Sequence, residues 1–140
     1  MAYKIYFDIN VLLDYTLQRR NINEVELIIN EIENGFKKGF VTGATIHTLS
    51  YFLTKEYGHK QVKELLLNLL SIITVIDPQQ NVIKKALLAN FNDIEDALQV
   101  YTAIHFNMDC FITSDKKLKK ETSAILPIVT PSDFVKEYLN

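Results

Sequence analysis

The chain has a single cysteine, Cys110, so no internal disulfide can form. Set in an apolar run, that thiol reads as core packing, and a reducing cytoplasm is the expected compartment. No apolar run reaches the roughly eighteen residues that a membrane-spanning helix needs. The opening MAYKIYF goes straight into a strand pattern, so no signal peptide is expected. With only 4 Gly and 3 Pro in 140 residues, nothing reads as a linker, an internal repeat or a low-complexity segment. One domain over residues 1–140 is the expectation. Charge of one sign is lacking too: 15 Lys and Arg face 17 Asp and Glu, a net charge of −2. The protein as a whole is therefore no polyanion binder, and any contact with nucleic acid must rest on a local basic patch. What is present is 48% hydrophobic residues, enough for a soluble globular core.

Short apolar runs alternate with helical patterns. YKIYF ends in Asp8 and leads into NVLLDYTLQ, a helix that Asn10 can cap. Residues 23–38 form an amphipathic helix with Val25, Ile28, Ile29 and Ile32 on one face, extended by Phe36 past Asn34-Gly35. FVTG is a second strand, and ATIHTLSYFLTKEYG is a helix that stops at Gly58. Residues 59–70 place Val62, Leu65, Leu66, Leu69 and Leu70 on another helical face. SIITVID is a third strand, followed by a helix opening on Pro78 at its first position. A central helix from IEDALQVYTAI, the strand MDCFIT, a lysine-rich turn, a short strand around LPIVT and a helix from Pro131 complete the chain. Strands alternating with helices argue for an α/β fold whose parallel sheet is covered on both faces.

Three aspartates stand out. Asp8 and Asp115 each follow the carboxyl end of a strand, and Asp96 opens the helix that feeds the Asp115 strand. Strand direction alone puts all three at one edge of the sheet, where ligands of such sheets bind. On its helix, Asp96 lies in line with the apolar stripe of Ala97, Val100, Ala103 and Ile104. A buried carboxylate there needs a cation or donors. For Asp93 and Glu95, capping of the helix is the default role. Two ionised carboxylates about 4 Å apart repel by roughly 4 kcal/mol at an effective dielectric of about 20. Such a cluster suits Mg²⁺ or Mn²⁺, hard ions that can generate hydroxide, orient a phosphodiester and stabilise the leaving oxygen. Hydrolysis of a nucleic-acid backbone is the leading reaction class.

FDINVLLDY, IEDALQVYTAI and CFITSDKKL together resemble a PIN domain, in particular the VapC-like toxins of bacterial toxin–antitoxin pairs. The resemblance covers essentially the whole chain. It implies a three-layer α/β/α sandwich around a short-stranded parallel sheet. It also implies a Mg²⁺-dependent endoribonuclease that is homodimeric and held inactive by a cognate antitoxin protein. The family's catalytic, metal-binding acids fall on Asp8, Asp96 and Asp115, and Thr113 and Ser114 are expected to donate hydrogen bonds to the last. The family's usual glutamate on the helix after the second strand is replaced by Thr48, within Thr45-Ile46-His47-Thr48.

Lys116, Lys117, Lys119 and Lys120 follow Asp115 and can either grip RNA phosphates or form a solvated loop, and Arg19 and Arg20 read the same way. His47 lies near the proposed site with a surface or capping role as its default, and His59 and His105 show no ligand spacing. Two other functions fit parts of the pattern. One is a degenerate PIN domain that only binds RNA or a protein partner, which the missing Glu at Thr48 favours. The other is a haloacid-dehalogenase-type phosphatase with Asp8 as nucleophile, because FDIN resembles that family's Asp-x-Asp opening, with Asn10 in place of the second acid.

Overall fold

A computed structural model describes residues 2–120 and 125–139 of the chain, without the side chains of Lys119 and Lys120. The described residues form five strands: β1 (Tyr3–Phe7), β2 (Lys37–Val41), β3 (Ile73–Val75), β4 (Cys110–Ile112) and β5 (Ile128–Val129). Between and after them run α1 (Ile9–Thr16), α2 (Ile22–Glu33), α3 (Gly43–Tyr57), α4 (His59–Leu70), α5 (Gln80–Leu88), α6 (Ile94–His105), α7 (Lys116–Lys120) and α8 (Pro131–Tyr138). The strands pair in parallel in the order β3-β2-β1-β4-β5. In the centre, Ile5 stands opposite Gly39 on one side and Cys110 on the other.

Successive side chains of a strand point to opposite faces, and β1 feeds both halves of the core. Ile5 and Phe7 join Val25, Ile28, Leu49, Leu53 and Phe134 under α1, α2, α3 and α8. Tyr6 points the other way and packs with Val100 and Ala103 of α6 and with Phe111, its ring stacked on Phe111 at 5.0 Å. The result is the expected α/β/α sandwich, with both faces of a short-stranded parallel sheet covered. Gly39 lets α2 sit close to the sheet: a Cβ there would lie 2.8 Å from Ile32 Cδ1 and 3.1 Å from Phe7 Cε2. Cys110 is fully buried, and burial pushes its thiol up to about 12, as suits a packing residue.

Several boundaries differ from the sequence reading. Asp8, not Asn10, caps α1: the Asp8 carboxylate accepts from the Asn10 amide and the Asp8 carbonyl accepts from Val11. Asp8 is therefore the one residue between the strand and the helix. The second helix ends at Glu33 and does not run through Phe36, which is 66% exposed. Gly35 adopts a left-handed φ of 83° that stops it, and Lys37 and Lys38 join β2. Pro78 precedes α5 rather than opening it; Gln79 is the N-cap residue. The lysine-rich segment is a short helix, α7, and not a turn. Pro131 does open the last helix, with Thr130 as its cap.

Candidate active site

The sheet order reverses between β1 and β4, because β2 and β3 lie to one side of β1 while β4 and β5 lie to the other. The crevice beyond the carboxyl ends of those two strands is where such sheets take ligands. Asp8 leaves β1 there and the Thr113–Asp115 segment leaves β4. The Asp8 amide donates to the Ile112 carbonyl at 2.9 Å, so the two segments are joined at their exits.

Asp8 is only 2% exposed and is held from three sides. Its Oδ2 accepts from the Thr113 hydroxyl at 2.7 Å, and its Oδ1 accepts from Gln99 Nε2 at 3.1 Å and from the Asn10 amide at 3.3 Å. Oδ1 thus accepts two hydrogen bonds and Oδ2 one, so the further lone pair of this buried acid is on Oδ2. The Thr113 hydroxyl also accepts from the Asp115 amide at 3.1 Å. Thr113 thus donates to Asp8 and not, as expected, to Asp115. The Ser114 hydroxyl meets Asn21 Nδ2 at 3.1 Å. Asp115 itself is exposed, with Oδ1 accepting from the Lys117 amide at 2.9 Å.

On α6, Asp93 is the N-cap, accepting from the Asp96 amide at 3.1 Å. Asp96 is half-buried one turn in. Burial foremost, and then the charges of Asp93, Asp8, Asp115 and Glu95, push its carboxyl up to about 7. Glu95 is also raised, by burial first and then by Asp8 and Asp93. The acids therefore feel one another's field across the crevice, as strand direction implied. Hard carboxylate oxygens under mutual repulsion match a hard divalent cation in kind. Yet among the described residues no three His, Cys, Asp or Glu side chains are gathered closely enough to hold an ion as they stand.

Thr48 is on α3 and lines a cleft of about 560 Å³ together with Glu95, Gln99, Ile9, Ile94 and Leu98. None of Asp8, Asp96 and Asp115 lines that cleft. At its far wall Asp77, just past β3, accepts from the Gly43 amide at 2.8 Å and so supports the start of α3. A side chain at Gly43 would come within 3.2 Å of both Asp77 oxygens. Lys116 and Lys117 are exposed beside Asp115. Arg19 and Arg20 are committed elsewhere, both to Asp14, at 2.9 Å and 2.8 Å. His47 is exposed, as its default role implied.

The sequence reading missed Gln99. It is 3% exposed, donates to Asp8, and through Oε1 accepts from the Tyr6 hydroxyl at 3.2 Å and the Ile9 amide at 3.1 Å. A signal was there: an amide three residues after Asp96, on the buried side of an apolar helical stripe, must find partners.

A family model described as PIN domain matches residues 4–117. No curated protein sequence matches the chain. Among solved structures, the crystal structure of VapBC2 from Rickettsia felis bound to a DNA fragment from their promoter contains a chain of similar fold. The TM-score is 0.62 at 17% identity, over 91% of this chain and 98% of that one.

Proposed function

The chain belongs to the PIN domain family, and on that footing we propose that it is a divalent-metal-dependent endoribonuclease, the toxin of a toxin–antitoxin pair. Asp8, Asp96 and Asp115 are its metal ligands. The observation that carries this reading is the setting of Asp96: burial first, and then the charges of Asp93, Asp8, Asp115 and Glu95, raise its carboxyl to about 7, a frustration that a cation relieves. The VapBC2 neighbour supports a cognate antitoxin as partner. A homodimer, a cytoplasmic location and Mg²⁺ or Mn²⁺ as the ion complete the proposal. No helix among the described residues is long and apolar enough to cross a membrane.

In this mechanism the ion supplies Lewis acidity and charge neutralisation at the phosphodiester. The chain's own residues do the rest. Asp8 offers oxygens whose direction Thr113, Gln99 and Asn10 have already set, so little reorganisation remains at binding. Asp96 and Asp115 approach from the rim on α6 and after β4. Lys116 and Lys117, exposed next to Asp115, would grip phosphates flanking the scissile bond and add affinity without sequence preference.

A second reading keeps the fold and drops the chemistry. Thr48 brings no charge to the cleft wall, which favours a PIN domain that binds RNA or a protein without cutting. The phosphatase reading has no support from the family match. Incubating the protein with single-stranded and structured RNAs, in Mg²⁺, in Mn²⁺ and in EDTA, separates the two. Cleavage that EDTA stops is expected; RNA bound but intact under all three conditions would favour the binding module.

A further inference from the structure

We propose that Gln99 is the positioning residue of this site: its side-chain amide fixes the Asp8 carboxylate in one orientation and ties the strand carrying Asp8 to the helix carrying Asp96. The proposal deepens the metal-site reading and rests on it.

The hydrogen bonds fix which way the amide faces. Oε1 of Gln99 receives the Ile9 amide at 3.1 Å and the Tyr6 hydroxyl at 3.2 Å. A backbone N–H can only donate, so Nε2 must face the other way, onto Asp8 Oδ1 at 3.1 Å. A flipped amide would set N–H against N–H at Ile9 and oxygen against oxygen at Asp8. Tyr6 and Ile9 flank Asp8 in sequence, so one side chain from α6 grips the exit of β1 on both sides of the acid. A residue serving only to satisfy buried donors would need Oε1 alone; Gln99 also spends its donor end on the carboxylate. With Thr113 on Oδ2, and Gln99 and the Asn10 amide on Oδ1, both oxygens of Asp8 are held by named donors. Outer-sphere partners of this kind typically change metal affinity by about 10–100-fold when removed.

Gln99→Met keeps length and volume and removes both polar ends. Thr102→Val on the same helix is the control, since the Thr102 hydroxyl donates to the Leu98 carbonyl of its own helix, 2.6 Å away. Mn²⁺ affinity by calorimetry and RNA cleavage are measured on both, with the fold checked by circular dichroism. Gln99→Met is expected to weaken Mn²⁺ binding about tenfold or more and to lower kcat with KM for RNA unchanged. Thr102→Val should leave the affinity unaltered. A folded Gln99→Met protein that binds Mn²⁺ as tightly as wild type overturns the proposal. A second measurement needs neither metal nor a folded Met variant: the Gln99 side-chain amide resonance in wild-type and Asp8→Ala proteins. A shifted resonance supports the contact and an unshifted one overturns it. If wild type takes up no Mn²⁺ while the resonance shifts, the metal reading fails and the positioning contact stands.

Discussion

Replacing Asp96 by Asn tests where the electrostatic strain of the site is stored. The folded carboxyl lies at about 7 against an ordinary value of 3.8. Between those values the folded state holds more protons than the unfolded state, so stability falls as pH rises from about 4 through about 7, and levels off above. At ~1.4 kcal/mol per pH unit, the rise from 3.8 to about 7 sets a ceiling of about 4 kcal/mol. Asp96 is only half-buried, and water and salt screen it, leaving about 1–2 kcal/mol. Asp96→Asn keeps the shape and removes the repelled charge. In EDTA at pH 8 the variant should melt roughly 3–8 °C above wild type, and at about pH 3.5, below the ordinary value of 3.8 so that Asp96 is largely protonated in both the folded and the unfolded state, the gap should nearly close. Mn²⁺ should raise the wild-type melting temperature more than that of the variant, since binding to the folded state adds stability by mass action. The assay is thermal melting at two pH values with and without metal. An Asn variant no more stable than wild type at pH 8, or equally stabilised at both pH values, would refute the reasoning.

Three further outcomes follow from named contacts. Thr113→Val removes the hydroxyl that joins Asp8 Oδ2 to the Asp115 amide and should cost about 1–3 kcal/mol by denaturant unfolding, with RNA cleavage lost; a silent substitution would mean that the hydroxyl joins the two acids in geometry only. Asp93→Ala removes the α6 cap and should cost about 1 kcal/mol while leaving Mn²⁺ affinity within twofold or so, so a lost metal site with the fold intact would make Asp93 a ligand. Thr48→Glu should tighten Mn²⁺ binding in calorimetry, and unchanged or weaker affinity would show that the cleft wall at Thr48 does not reach the ion.

Fold class and layer order were legible because the patterns are strong. Val25, Ile28, Ile29 and Ile32 recur at helical spacing and are all buried, and the short apolar runs at 5–7 and 110–112 lie in strands and are buried on both faces. Boundaries were less legible, because they depend on single backbone conformations. Phe36 extends an apolar face in sequence, but the left-handed Gly35 breaks the helix before it arrives. The common edge of Asp8, Asp96 and Asp115 followed from strand direction, which sequence order determines. Their partners did not, because a hydrogen bond spanning 91 residues, such as Gln99 to Asp8, depends on register. The role of Thr113 was misassigned for the same reason: neighbours in sequence suggested Asp115, whereas the parallel pairing of β1 with β4 delivers its hydroxyl to Asp8.

On the proposed reading, Asp8, Asp96 and Asp115 build one divalent-ion site. Anomalous diffraction from crystals soaked in Mn²⁺ tests it directly. A peak is expected in the crevice between the ends of β1 and β4, with oxygens of all three aspartates within about 2.0–2.6 Å, and it should be lost in Asp8→Ala crystals. No peak at that edge, or one that survives Asp8→Ala, would contradict it.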